Sequence, residues 1–271
     1  MIGDITLGQL YPGNSLLHRM DPRFKILFTV LFLVMLFCSD TLAGVLISLT
    51  FVLAIYLVAR IPLSMLFKSL KPVLPIILLM LLFNIFFYSG KTVLFQWGFF
   101  KLTAEGLKMS GLMIFRIVAI IAGTAMLTYT TSSIELTDAL ESLFSPLKRL
   151  HFPVSELAMM MSIALRFIPT LIEETQKIMA AQKARGADFE SGNLIARARA
   201  LLPILIPLFV SAIKRAGELA TAMESRCYHN GEGRTRLKQL KSAPRDYVSL
   251  SVMLLLCAAV ITARHISPKI F

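Results

Sequence analysis

Residues 155–186 read SELAMMMSIALRFIPTLIEETQKIMAAQKARG, and residues 194–227 read LIARARALLPILIPLFVSAIKRAGELATAMESRC. In both stretches the apolar residues recur every three or four positions, which predicts two long amphipathic helices. A continuous helix from Ser155 to Arg185 would be roughly 45 Å long. Each stretch ends in an arginine between two small residues: Ala184-Arg185-Gly186 in the first and Ser225-Arg226-Cys227 in the second.

The composition is that of a membrane protein. Of the 271 residues, 56% are hydrophobic, and the mean hydropathy of +0.72 is higher than soluble domains show. The net charge of +12 would also suit nucleic acid binding, but the apolar content favours a membrane. Three cysteines (Cys38, Cys227 and Cys257) show neither metal-ligand spacing nor even pairing, so we expect no disulfides.

Apolar runs predict the transmembrane helices. The runs cover residues 26–38, 42–59, 73–88, 107–129 and 247–263. Residues 89–106, between the third and fourth runs, are predicted to form a loop with an interfacial aromatic belt. Lys68 and Lys71 are predicted to lie in the loop between the second and third runs, and a short amphipathic helix is predicted over about 134–149. The predicted fold is all-α, a polytopic membrane protein with about five transmembrane helices and a cytoplasmic module of long amphipathic coupling helices.

The basic residues of the loops are distributed unevenly between the two sides of the membrane. Six basic residues precede the first span or follow the second (Arg19, Arg23, Lys25, Arg60, Lys68 and Lys71), whereas the opposing loops hold only Lys91 and Lys101. The positive-inside rule therefore predicts a cytoplasmic N-terminus and a cytoplasmic coupling module. We expect three parts: a surface segment with four transmembrane helices over 1–130, the coupling module over 131–246, and a last transmembrane helix with its tail over 247–271.

Polar residues in or beside the spans are candidates for structural or intramembrane roles. Asp21 stands in a turn-forming Asp-Pro pair and is expected to pair with a flanking arginine. Asn84 is expected to bond to a neighbouring helix. Arg116 lies within the fourth span, where it either snorkels to the membrane interface, pairs inside the bundle or is functional. The candidates of this kind are His18, Arg19, Asp21, Arg23, Asn84 and Arg116.

Sequence motifs for catalysis or cofactor binding are missing. The chain has no G-x-x-x-x-G-K-[ST] phosphate loop, no HExxH motif and no nucleophile elbow. The four histidines are scattered, so we expect neither a metal site nor a catalytic residue. Because the spans hold few ionisable groups, a self-contained secondary transporter is also disfavoured. The two arginine triplets are therefore interpreted as docking points of a mechanical part, since guanidinium binds carboxylates and carbonyls with fixed geometry.

Three motifs spread along the chain resemble those of one known family, the transmembrane T component of energy-coupling factor (ECF) transporters. The first runs from Pro12 to Ser15 and from Leu17 to Arg23, the second from Met159 to Leu171 with Gln182–Gly186, and the third from Ala222 to Tyr228. The resemblance covers essentially the whole chain. One departure is that the second arginine motif of the family usually reads Ala-Arg-Gly, whereas here Cys227 follows the arginine.

The resemblance implies a set of partners. In such proteins the arginine motifs dock on two ABC-type ATPases, and the membrane part holds a separate substrate-binding S component. It therefore implies that Arg185 and Arg226 each contact one ATPase, expected as a heterodimer, in the cell membrane of a prokaryote. No cofactor is expected to bind this chain directly, because ATP and Mg²⁺ are used by the ATPases, and no nucleic acid partner is expected.

The alternatives differ in class. Within the family, the T component either is shared among S components for vitamins or is dedicated to a cobalt or nickel importer. Outside it, a self-contained membrane carrier would transport without ATP. A scaffold or receptor would bind anionic lipid or nucleic acid through its basic module. The overall resemblance favours a shared, vitamin-importing T component.

Overall fold

The computed structural model describes residues 10–87, 93–97, 100–189, 193–228, 240 and 242–266. Most of these residues are helical, because long apolar runs without interior glycine pairs favour helices that satisfy their own backbone groups. The helices are α1 (Pro22–Cys38), α2 (Leu42–Ala59), α3 (Leu63–Leu70), α4 (Leu74–Phe87), α5 (Ala104–Thr130), α6 (Ser133–Leu143), α7 (Val154–Ala184), α8 (Leu194–Ser225) and α9 (Pro244–Ile266).

The chain forms two compact units. The first, called the bundle unit, comprises Gly8–Leu136 and Leu240–Phe271, and the second, called the long-helix unit, comprises Thr137–Gln239. The bundle unit therefore contains α1 to α5 and α9, whereas α7 and α8 make up most of the long-helix unit.

Helix α5 is the centre of the bundle unit, since it packs against α1, α2, α3 and α4. Small residues on α5 make this close packing possible. Ala119 belongs to a core cluster with Phe32 of α1 and Met253 of α9, while Ala122 belongs to a second cluster with Tyr56 of α2. The Tyr56 hydroxyl donates to the carbonyl oxygen of Ala122 at 3.1 Å, so the buried phenol has a partner.

Capping residues explain where three of the helices begin. Asp21 precedes α1 and accepts a hydrogen bond from the backbone N–H of Arg23, at 2.9 Å. Thr41 caps α2, and Thr103 caps α5, each through its hydroxyl oxygen. Such side chains satisfy backbone donors that a helix leaves unpaired at its N-terminus.

Three local predictions from the sequence are wrong. The loop predicted around Lys68 is helix α3, which bends by 66° from the helix that follows. Within the predicted loop 89–106, strands β1 (Val93–Trp97) and β2 (Phe100–Thr103) pair antiparallel. The helix predicted over 134–149 ends at Leu143, and a 3-10 helix follows from Ser145 to Leu150.

The prediction of a polytopic, helical membrane protein is confirmed. Five helices of the described residues are long and apolar enough to cross a membrane: α2, α5, α7, the part of α8 from Arg197 to Ser225, and α9. The bent pair of α3 and α4 passes the same test when its two helices are taken together. The number agrees with the predicted five, but the set differs, since α7 and α8 are included, α1, at 17 residues, is not, and α4 passes only together with α3.

Two glycines of α5 test how tightly the bundle is packed. A Cβ atom at Gly123 would meet the ring of Phe32 directly, and that ring is almost fully buried. We therefore expect Gly123→Ala to destabilise the protein by about 1–3 kcal/mol, as overpacked cores do. The change is measured as a lower melting temperature of the protein in detergent.

Gly111→Ala is the matched control on the same helix. Nothing lies within 4 Å of a Cβ atom at Gly111, so only the backbone effect remains. Alanine is about 1 kcal/mol more favourable than glycine in a helix interior, so this variant should be unchanged or more stable. Equal melting temperatures for the two variants would show that α1 and α5 are not in close contact at Gly123.

Candidate functional site

Helix α7 ends at the first arginine triplet in a Schellman motif. Arg185 is the residue at the C-cap, and Gly186 follows it with a φ of +86°. The Gly186 N–H donates to the Lys183 carbonyl at 2.9 Å, and the Ala187 N–H donates to the Gln182 carbonyl at 3.0 Å. This pair of hydrogen bonds satisfies carbonyls that the helix end would otherwise leave unpaired.

Helix α8 ends at the second triplet with the same geometry. Arg226 is at the C-cap, and Cys227 follows it with a φ of +54°. The Cys227 N–H donates to the Glu224 carbonyl at 2.9 Å, and the Tyr228 N–H donates to the Met223 carbonyl at 3.0 Å. Ser225-Arg226-Cys227 therefore ends its helix just as Ala184-Arg185-Gly186 does, despite the different residues around the arginine.

Both triplets are exposed in this chain. Neither Arg185 nor Arg226 has an ion pair within the part of the chain that the structure describes. Their positive charge lies at the end of a helix where the carbonyl dipoles point, which favours a cation. Each helix end thus presents a guanidinium, with its fixed fork of five donors, on a fixed backbone turn.

Helices α7 and α8 pack antiparallel. At their middle, Arg215 Nη2 lies 2.9 Å from Glu174 Oε2, and the Ser211 hydroxyl donates to the same carboxylate. Towards one end, the Tyr228 hydroxyl at the end of α8 lies 2.7 Å from the sulfur of Met159, which is in the second turn of α7. The start of α7 therefore lies beside the end of α8.

The antiparallel packing separates the two arginine tips. Arg185 lies about three turns beyond Glu174, and Arg226 lies about three turns beyond Arg215, in the opposite direction along the pair. At 1.5 Å per residue, the tips are roughly 30 Å apart. The two triplets therefore do not form one site; they are two similar sites at opposite ends of one helix pair.

The N-terminal candidates hold a turn together instead of lining a pocket. His18 Nδ1 lies 2.7 Å from the hydroxyl of Ser15, and its Nε2 lies 3.0 Å from the carbonyl oxygen of Tyr11. The Arg19 carbonyl accepts a hydrogen bond from Arg245. For Asp21, the partner in Arg23 is the backbone N–H and not the guanidinium, whose Nε is buried without a hydrogen-bond partner among the described residues.

The two intramembrane candidates differ. Arg116 Nη2 lies 3.0 Å from Asp40 Oδ1, and the guanidinium lies over the ring of Phe37, so Arg116 is paired inside the bundle unit. Arg264 reaches the other oxygen of Asp40 at 3.5 Å. The amide of Asn84 donates to the Met80 carbonyl in its own helix at 3.0 Å, and not to a neighbouring helix as the sequence predicted.

Two residues that the sequence reasoning missed are the most buried charges among the described residues of the bundle unit. Lys25 is 4% exposed and Asp246 is 1% exposed. In the sequence Lys25 counts only among the charges that set the topology, and Asp246 is only the last residue of the predicted coupling module over 131–246. The available signal was weak: both residues lie in the first turn of a helix that follows a polar segment, where charged residues are common.

A comparison of Gly186 with Cys227 tests the shared helix ending. A left-handed backbone costs a non-glycine residue roughly 1–2 kcal/mol. We therefore expect Cys227→Gly to stabilise the end of α8 by about 1 kcal/mol and Gly186→Ala to destabilise the end of α7 by a similar amount. Hydrogen exchange at the backbone amides of 186–187 and 227–228 measures both effects.

Gly217→Ala is the control for these variants. It lies within α8, has no positive φ, and has open space around the position of a Cβ atom. This change should slow exchange, as alanine favours the helix. Slower exchange for Gly186→Ala as well would contradict the left-handed ending of α7.

Comparisons with known proteins agree with this architecture. The CbiQ family, described as a cobalt transport protein, matches residues 13–237. A protein of Clostridium kluyveri is 49% identical over 264 residues, which is 97% of this chain and 98% of its own length. A protein of Thermosediminibacter oceani is also 49% identical, over 97% of this chain and 99% of its own length.

A protein of Bacillus subtilis is 45% identical over 261 residues, covering 96% of this chain and 98% of its own length. All three relatives carry the name energy-coupling factor transporter transmembrane protein EcfT. The resemblance seen in the sequence motifs is thereby confirmed. The chain belongs to the CbiQ family, the family of the transmembrane EcfT components of energy-coupling factor transporters.

Proposed function

We propose that this chain is the non-catalytic energy-coupling subunit of an ECF-type ABC importer in the cell membrane. In this role it links ATP hydrolysis by two ATPase subunits, expected as a heterodimer, to a membrane-embedded S component that binds the substrate. The observation that carries the proposal is the pair of equivalent helix endings at Arg185 and Arg226, on opposite ends of an antiparallel helix pair. Two equivalent arginine endings would suit two similar grooves, one on each ATPase subunit.

The chemistry of the tips supports docking on acidic or carbonyl-lined grooves. A guanidinium donates two parallel hydrogen bonds to a carboxylate, which sets orientation as well as affinity. Alanine, glycine, serine and cysteine beside the arginines leave room for a partner backbone to approach. Because the Schellman turns fix each C-cap, little ordering entropy is lost when a groove closes over the tip.

The charges of α7 and α8 support a cytoplasmic place for the long-helix unit. Arg166 and Glu174 lie near the middle of α7, and Lys214, Arg215 and Glu218 follow one another along α8. Charged side chains at the centre of a bilayer are costly. In the proposed topology these helices do not cross the membrane, although their length and hydropathy would allow it.

The exposed apolar side of α8 supports a partner at the membrane. Leu205, Ile206 and Phe209 are each more than half exposed in this chain. A face of this kind marks a contact with lipid or protein. In the proposed complex it contacts the S component or the surrounding lipid, while ATP and Mg²⁺ bind only to the ATPases.

The proposed mechanism is mechanical. ATP binding closes the ATPase pair and moves the two docked tips relative to each other. Helices α7 and α8 transmit the displacement, because they pack against each other and are joined by the Glu174–Arg215 ion pair and the Tyr228–Met159 contact. The membrane part then changes its hold on the S component, which releases its substrate inward.

Vitamins are the proposed class of substrate. The relatives carry the general name of energy-coupling factor transporters, without a substrate in that name, which favours a T component shared among several S components. The description of the family as a cobalt transport protein keeps a dedicated metal importer as the second candidate. Co-purification of the S components from cells distinguishes a shared component from a dedicated one.

Simultaneous replacement of Arg185 and Arg226 by alanine tests the docking proposal. Removal of both guanidinium groups should lower the amount of ATPase that co-purifies with the tagged chain at least tenfold in mild detergent, because both docking points lose their charged donors. Uptake of radiolabelled vitamins by the same cells should fall in parallel.

The control is the double change Arg197→Ala and Arg199→Ala, which removes two exposed positive charges from α8 away from its tip. This variant should retain the ATPases. Normal ATPase recovery and uptake with the tip variant would contradict the docking proposal, as would transport by the isolated chain in vesicles without ATP.

A further inference from the structure

Both chain connections to the long-helix unit leave the bundle unit at helix ends. Helix α5 ends at Thr130, and after only two residues the chain enters α6, within which the bundle unit ends. The chain re-enters the bundle unit at Leu240 and begins α9 at Pro244. Any movement of the long-helix unit that travels along the chain therefore reaches the bundle through the end of α5 and the start of α9.

Lys25 binds the end of α5. Its ammonium group donates to the Thr130 carbonyl at 2.7 Å and to the Thr131 hydroxyl at 3.2 Å. It also donates to the His18 carbonyl at 3.3 Å, in the turn before α1. The three protons of the ammonium thus have three acceptors, which a buried charge requires.

Asp246 binds the start of α9 to the start of α1. Its Oδ2 accepts from the Ala243 N–H at 2.8 Å, immediately before α9. Its Oδ1 accepts from the Asp21 N–H at 3.3 Å, at the residue that caps α1. Phe24 of α1 and Tyr247, the residue after Asp246, join the same two helices by a ring contact with centroids 5.1 Å apart.

The whole arrangement is buried and tightly held. Lys25, Asp21, Asp246, Thr130 and Thr131 are each at most 7% exposed. The carboxylates of Glu135, Asp246 and Asp21, in decreasing order of effect, lie near enough to attract the ammonium. Separating the helix ends would leave buried charges without compensation, which is costly. The cluster therefore holds the ends of α1, α5 and α9 together.

We propose that Lys25 is the positioning residue of a coupling joint, formed with Asp21 and Asp246, that passes motion from the two chain connections into the bundle. The proposal rests on the proposed function, since it assumes that the long-helix unit is moved by ATPases. With Lys25 in place, displacement of the connections shifts α5 and α9 as rigid elements against α1. Without Lys25, the same displacement bends the chain connections and frays the end of α5 and the start of α9, so less of the motion reaches the bundle.

The experiment uses the complete complex, purified with its ATPases and S components and reconstituted into proteoliposomes. Lys25→Met removes the charge but keeps an apolar side chain of similar length, and Lys25→Arg keeps the charge. Lys108→Met, an exposed lysine on α5, is the matched control. The readouts are ATPase recovery, ATP hydrolysis, and uptake of a panel of radiolabelled vitamins and of Co²⁺.

We expect Lys25→Met to retain its ATPases within twofold of the unaltered protein while the number of substrate molecules taken up per ATP falls at least tenfold. Lys25→Arg should recover most of that ratio, and Lys108→Met should leave it unchanged. A residue that only held the fold would not change this ratio, because complexes that fail to assemble contribute neither uptake nor coupled hydrolysis.

An unchanged ratio in Lys25→Met would overturn the proposal. Thr131→Val, which removes only one acceptor, is the milder variant if Lys25→Met fails to assemble. Assembly and uptake falling in equal proportion in both variants would also overturn it. None of these outcomes changes the result expected for the double replacement of Arg185 and Arg226. Failure of the coupling joint is therefore distinguishable from failure of the proposed function.

Discussion

The last carbonyls of a helix must find hydrogen-bond donors, and this constraint shapes the structure at each of its important points. Helix α5 ends inside the bundle unit, where Thr130 is 4% exposed, and the ammonium of Lys25 donates the hydrogen bond that the Thr130 carbonyl requires. Helices α7 and α8 end at the surface, where a left-handed residue turns the next N–H groups back onto the helix. One physical requirement therefore has two solutions, a buried cation within the bundle and an exposed arginine turn on each long helix.

Much of the fold follows from the sequence because hydrophobic length and periodicity act locally. The apolar run 42–59 and the stretch from Ser155 to Arg185 are helices with bounds close to those predicted. Helix α3 and the hairpin after α4 escaped prediction, because short segments depend on tertiary contacts more than on periodicity. For the same reason Asn84 was assigned a partner on another helix, when its own helix offers a carbonyl one turn away.

The candidate site shows a similar division. The arginine triplets are visible in the sequence because they stand at the ends of long periodic stretches, but the matching turn at Cys227 is not, since a left-handed cysteine has no sequence signature. Lys25 and Asp246 are 221 positions apart in the chain. Only the packing of α1 against α9 brings their helices together, so no local pattern could join them.

The antiparallel pair of α7 and α8 has arms of equal length on either side of the Glu174–Arg215 contact. Equal and opposite pushes on its two ends therefore make a couple: the pair turns about its midpoint, and its centre of mass stays where it was. A push on one end alone would tilt and translate it together. A two-armed beam of this kind turns about a fixed centre, without moving sideways, only when both of its ends are pushed in opposite directions.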